Sequence, residues 1–218
     1  MGQKVNPKVF RVGPVYNWSS RWFDDRRYKE VLLEDFKLRN ALLEKLRNSG
    51  VSEIEIERSI NSIKVRVFVS RPGMVIGRGG SGLEELKTYI QGFLLKERKA
   101  QKSFQKFDVS VEVEPIKEPN LDANLVARNI SDQLIKRLPQ KRVMASTAEK
   151  VMNAGARGVR IVLSGRIGGA EIGRREKIQR GTVPLSTIRE HISFASSPAL
   201  TKKGYIGVKV WINQPEEK

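Results

Sequence analysis

Three glycines and an arginine stand where the chain could do its most specific chemistry. In Val75-Ile76-Gly77-Arg78-Gly79-Gly80, two apolar anchors precede a loop with Cβ atoms missing at Gly77, Gly79 and Gly80. Ser81 and Glu84 follow at capping-box spacing, opening an amphipathic stretch. Without Cβ atoms the backbone can come close to a phosphodiester. Outward N–H groups and the start of a helix supply partial positive charge, and Arg78 adds a full one. The same glycines could serve only a tight turn. Gly77, Gly79 and Gly82 also satisfy G-x-G-x-x-G, the dinucleotide fingerprint. However, Arg71-Pro72-Gly73 separates them from the strand before, and Asp108 begins the next strand where an acid should end it. Leu83-Glu84 after Gly82 excludes a Walker loop, which needs Lys and then Ser or Thr.

A second constellation is cationic. Lys136, Arg137, Lys141 and Arg142 crowd Pro139, and from Lys141 to Arg180 ten Lys or Arg stand against Glu149, Glu171 and Glu176. A charge run is usually a solvated face. Here Arg157, Arg160, Arg166, Arg174, Arg175 and Arg180 favour the side chain suited to bidentate phosphate contact. The whole chain is also basic: 218 residues, 41 Lys plus Arg against 24 Asp plus Glu, a net charge of +17 and a pI of about 10.3. The excess is +7 up to Asn120 and +10 beyond it, so neither half is a dispensable tail. So much self-repulsion points to a polyanionic partner, nucleic acid first and a membrane surface second. Gly165–Gly173 reads as a strand–turn–strand crossing in which Glu171 orients a neighbouring arginine, or as a purely structural hairpin.

Other chemistries drop out. With no cysteine there is no disulfide, zinc ribbon or thiol nucleophile. The one histidine, His191, reads as packed or exposed, not catalytic. Asp24-Asp25 and Glu84-Glu85 are adjacent pairs whose side chains diverge, so neither makes an acid–base pair. No catalytic residue, metal, cofactor or small-molecule substrate is expected. No apolar run approaches the roughly 20 residues of a membrane helix. The opening Met1–Pro7 lacks the apolar core of a secretory signal, and Asn6 stands where myristoylation wants Ser or Thr. A soluble, intracellular protein is expected.

The elements that must hold these groups follow from periodicity. Residues 1–34 read as a basic, aromatic arm (Phe10, Tyr16, Trp18, Trp22, Phe23 among arginines) that packs on its own domain, stacks on RNA, or does both. Residues 35–114 read as one domain. Phe36, Leu38, Ala41, Leu42, Leu43 and Leu46 have helical spacing. Val51–Glu57 and Ile63–Val69 alternate as a hairpin, the glycine loop and its helix follow, and Phe107–Val113 alternates again. That order predicts a three-stranded sheet backed by helices. After a linker at 115–120, residues 121–213 read as two helices, Leu121–Leu138 and Gln140–Asn153, followed by a mainly antiparallel sheet including Val159–Leu163 and Ile206–Ile212, with 214–218 as a tail. The fold class is α+β in two domains.

The four residues Gly77–Gly80 match the GXXG loop of a KH domain, which clamps single-stranded RNA. They fall in order with Met1-Gly2-Gln3-Lys4-Val5-Asn6-Pro7, Arg71-Pro72-Gly73, Ser164–Ile172 and Gly207–Ile212. From Met1 to about Ile212 the chain resembles the bacterial family of small-subunit ribosomal protein three. The resemblance implies a type-II KH domain and a second α/β domain on small-subunit ribosomal RNA, in the head of a cytoplasmic ribosome. It also implies contact with messenger RNA at its entry channel and with small-subunit proteins ten and fourteen. Matching residue by residue, Lys141 and Arg142 take two of the family's entrance positions, and Ala145 leaves the third uncharged. Lys150 could substitute in part. Candidate ribosomal-RNA contacts are Lys4, Arg11, Arg21, Arg157, Arg166, Arg174 and Arg175. A free-standing KH regulator of messenger RNA is the alternative.

Overall fold

Val51, Ile54 and Ile56 alternate with glutamates, and Ile63, Val65, Val67 and Val69 with polar residues, so each run buries one side. In the computed structural model, which describes residues 4–59, 62–100 and 108–215, these runs are β2 (Val51–Arg58) and β3 (Ser62–Val69), paired antiparallel. β4 (Asp108–Pro115) joins β3 in parallel, and β1 (Ser20–Arg21) lies parallel to β2 on the other edge. The sheet is therefore four-stranded, not three-stranded, because a two-residue strand leaves no alternation to read. Helices α2 (Tyr28–Lys45) and α4 (Ser81–Ala100) cover its apolar face with Leu38, Leu42, Leu46, Leu86, Ile90 and Leu94.

Helix α2 starts at Tyr28, earlier than the Asp35 expected. Asp24 accepts the backbone N–H groups of Arg26 and Arg27 at 3.0 Å just ahead of it. Within α2, Glu34 and Asp35 are buried, held by Arg58 of β2 at 2.8 Å and 2.7 Å, and Trp22 Nε1 donates to Asp35 at 3.0 Å. Carboxylates on an inward face break the apolar period from which the helix was read. Phe36, expected in the core, is 60% exposed. Ser81 has helical dihedrals (φ −54°, ψ −37°). An N-cap residue is non-helical, so Ser81 does not cap α4 as its spacing suggested.

The chain forms two units, Trp18–Lys117 and Met1–Asn17 with Glu118–Lys218. The arm expected at 1–34 is thus shared: α1 (Pro7–Phe10) belongs with the second unit and β1 with the first. In the second unit α5 (Ala123–Ile135) is capped by Asp122, which accepts from Asn124 and Leu125, and α6 spans Gln140–Asn153. Strands β5 (Gly158–Gly165), β6 (Arg174–Gly181), β7 (Ile192–Thr201) and β8 (Gly204–Asn213) form an antiparallel sheet ordered β6-β5-β8-β7. Both helices pack on one face against Val159, Ile161, Leu163, Val208, Val210 and Ile212. Strands β6 and β7 lie on the edges, where little apolar alternation marks them. Helix α5 stops before the expected Leu138. Arg137 takes φ +61°, and the N–H groups of Arg137 and Leu138 close onto Leu134 and Gln133 at 3.0 and 3.2 Å, a Schellman ending with arginine where glycine is usual.

Met1–Gln3, residues 60–61, Lys102, Lys106, Phe107 and residues 216–218 of the expected tail lie outside the described residues. Among the described residues no helix is long and apolar enough to cross a membrane.

Candidate nucleic-acid interface

Pro72, pre-set for a first helical position, opens the short α3 (Pro72–Ile76), and buried Val75 anchors it. The chain then turns through Gly77, Gly79 and Gly80 at φ +70°, +62° and +85° before entering α4. These are left-handed values that other residues reach only at a cost of about 1–2 kcal/mol. A Cβ on Gly79 or Gly80 would meet nothing within 4 Å. The turn therefore needs its glycines, and their outer surface is open to a ligand. Arg78 at the tip is exposed. Gly82 works inward: its Cβ would lie 2.4 Å from the Val75 carbonyl oxygen, so glycine lets α3 rest on α4.

The cationic corner comes from α5 and α6. Pro139 precedes α6, whose first turn has no side-chain cap and no acidic residue, and Lys141 and Arg142 are exposed there. Val143, Met144 and Val151 are buried on the other side of the helix, as their spacing predicted. Sequence reading did not show what lies beside this corner. The 166–170 loop rests there: a Cβ on Gly168 would come 3.6 Å from Gln140 Nε2, and Arg166 Nε donates to the Ala170 carbonyl at 2.9 Å. Lys203, from the β7–β8 turn, donates to the Gly169 carbonyl at 3.4 Å. A Lys-Lys-Gly turn some sixty residues from the corner carries no local signal of that neighbourhood. Among the described residues, Lys141, Arg142, Arg166 and Lys203 make no ion pair with a carboxylate.

Other candidates have partners. Arg174 pairs with Glu176 at 3.2 Å and Arg157 with Glu190 at 3.6 Å, while Arg175 and Lys4 are exposed. Glu171, expected to orient an arginine, pairs with neither Arg174 nor Arg175. Arg21 pairs with Glu57 at 3.4 Å on the outer face of the first sheet. There Arg66 reaches Glu55, Glu57 and Glu112, and Lys64 reaches Glu112 at 2.7 Å. The Lys64 hydrogen bond lowers the Glu112 pKa, and Glu57 raises that of Arg66.

Arg11 is a correction. It is 0% exposed and donates to the carbonyls of Pro7 (3.0 Å), Pro184 (3.2 Å), Leu185 (3.1 Å), Thr187 (2.7 Å) and Glu190 (2.9 Å). Its guanidinium pins the 184–190 segment and is not available to RNA. His191 packs edge-on against Tyr16 at 5.7 Å. Among the described residues no cluster of acids and histidine could hold a metal ion.

A mixed sheet with a glycine loop opening its third helix, joined to a basic antiparallel unit, defines an RNA-binding protein of the KH class. Residues 37–121 match the model of the KH domain, and residues 130–212 match that of ribosomal protein S3, C-terminal domain. The chain is 44% identical over 99% of its length to the small ribosomal subunit protein uS3 of Desulfitobacterium hafniense, covering 94% of that protein. It is 42% identical over 99% of its length to those of Desulfosudis oleivorans and Lactobacillus helveticus, covering 96% and 92% of them. The chain belongs to the family of small ribosomal subunit protein uS3, whose members are structural constituents of the small subunit and not enzymes.

Proposed function

We propose that the chain binds small-subunit ribosomal RNA through both units of the cytoplasmic ribosome's head protein, and that Lys141 and Arg142 touch messenger RNA where it enters. The carrying observation is the corner itself. Two exposed cations occupy the first turn of α6, where the helix dipole disfavours them by roughly 0.3–1 kcal/mol each. Helix stability gives no reason for them, whereas a passing phosphate chain does. The open turn at Gly77, Arg78, Gly79 and Gly80 supports a second contact, to single-stranded ribosomal RNA. Lys4, Arg166 and Arg175 are further contacts of the same kind. Small-subunit proteins ten and fourteen are proposed as neighbours of the second unit, on the family resemblance and on the exposed Ile172.

The test uses small subunits reconstituted with the full chain carrying Lys141→Ala and Arg142→Ala. Incorporation and melting stay unchanged, and translation slows through hairpin-bearing messages more than through unstructured ones. Ala145→Lys has the opposite effect. Equal rates on both message types in both variants refute the message contact.

A further inference from the structure

The outer face of the second sheet, turned away from α5 and α6, carries charge that no carboxylate among the described residues neutralises. Register places Arg175, Ser164, Gly207 and Pro198 in one row across β6, β5, β8 and β7, and Lys177, Val162, Lys209 and Ser196 in the next. The four strands contain a single carboxylate, Glu176, and alternation puts it on the opposite face, where it pairs with Arg174. Arg175, Lys177 and Lys209 are exposed and have no ion-pair partner among the described residues.

The first sheet differs in this respect. Its outer rows set Glu53, Glu55, Glu57, Glu112 and Glu114 against Arg21, Lys64 and Arg66, and the three cations are all paired. One sheet neutralises itself and leaves an acidic excess. The other holds three bare cations within about 7–12 Å on a pleated grid, hardly more than a Debye length apart at physiological salt. Their mutual repulsion is relieved only by an anion from outside.

The surface has the shape for a polymer. The row beside Arg175 is small, Ser164 next to Gly207, so close that a Cβ on Gly207 would lie 3.0 Å from Ser164 Oγ. Beyond it Tyr205, 65% exposed, offers a ring next to Leu200 across the strand pair, as surfaces that stack single-stranded bases do. Val183 and Leu185 cover the rest of the face: their cluster starts at Val162, 2% exposed between Lys177 and Lys209, and runs on to Ile192 and Trp211, so the two lysines stand at the edge of the open part.

We infer that this open half is a ribosomal-RNA platform: Arg175, Lys177 and Lys209 take backbone phosphates, and Tyr205 takes a base. The inference rests on the RNA reading above and adds a surface separate from the α5–α6 corner and the glycine loop.

The test compares the full chain with its Arg175→Gln/Lys177→Gln/Lys209→Gln variant in binding small-subunit ribosomal RNA across a salt series. Three lost phosphate contacts at about 0.7 each lower the log–log salt slope by about 2, which at 0.1 M salt is about a 100-fold weaker association. Lys64→Gln, on the paired sheet, leaves slope and affinity unchanged. Acylation of wild-type lysines in the complex gives the same answer without a variant: Lys177 and Lys209 are protected and Lys64 is not. An unchanged slope with both lysines reactive overturns the platform, Arg175 included, while leaving RNA contact at the glycine turn and the α5–α6 corner intact. Wild-type chain that fails to bind the RNA overturns both.

Discussion

Replacing Arg11 with Met separates two roles that one basic residue could have. The side chain is fully buried, and its five donor contacts span Pro7 in the amino-terminal segment and four carbonyls between Pro184 and Glu190. A hydrogen bond from a charged donor is worth about 1.5–3 kcal/mol, so five gross contacts exceed what a domain can lose. Desolvating the guanidinium offsets several kcal/mol of that, and each carbonyl keeps a second lone pair. Met retains most of the stem packing. A net loss of about 3–4 kcal/mol remains. For a unit of roughly 120 residues, at about 4 °C per kcal/mol, that is a fall in Tm of about 12–16 °C. Calorimetry on the isolated chain reads the shift, and limited proteolysis reads earlier cleavage within 182–191. The RNA salt slope stays the same wherever the variant is folded. A Tm within 2 °C of wild type together with a shallower slope would show that Arg11 serves RNA after all, and the burial argument would fail.

Three further outcomes follow from single positions. Gly82→Ala puts a Cβ 2.4 Å from the Val75 oxygen and forces α3 off α4, so the first unit should melt lower by about 1–3 kcal/mol, read by CD melting. Arg78→Asp with Gly79→Asp puts negative charge on the open turn, weakening single-stranded RNA binding in a filter assay. Its strain cost is about 1–2 kcal/mol because Gly79 sits at φ +62°. Lys64→Met removes the leading cause of the lowered Glu112 pKa, so NMR titration should find Glu112 protonating at higher pH. Because the folded pKa lies below the unfolded one, that pair's contribution is present above the ordinary carboxylate range and fades as pH falls through the folded value.

What the sequence disclosed depended on how local the cause was. The α6 range and the α+β order rest on periodicity within one segment, and α6 spans Gln140–Asn153 as read. The glycine turn was legible because positive φ and glycine are coupled at a single residue. Readings failed where the cause lay far along the chain. Asp35 and Glu34 look like surface residues until Arg58 of β2 lies against them, and Arg11 looks like a phosphate ligand until the 184–190 carbonyls surround it. Strand β1 pairs with β2 over only two residues. Lys203 reaches the α5–α6 corner through a β-hairpin that no local pattern connects to it.

Net charge therefore has to be assigned face by face. The excess of +17 is not spread evenly: the outer face of the first sheet holds more acids than bases and pairs each base internally. An RNA backbone approaching that face meets net repulsion, with the cations already engaged. On the proposed RNA reading, RNA reaches the first unit at its edges, and among the described residues the Gly77–Gly80 turn offers such an exposed edge with open backbone. The second unit has the opposite arrangement. Carboxylates are almost absent from its strands, the helices cover one face, and the other keeps exposed cations around small residues. A glycine turn gives close approach at one point, where geometry selects a strand. A bare cationic sheet gives area, where charge sets affinity. The first contact should therefore discriminate single strands from duplex, and the second should carry most of the salt dependence.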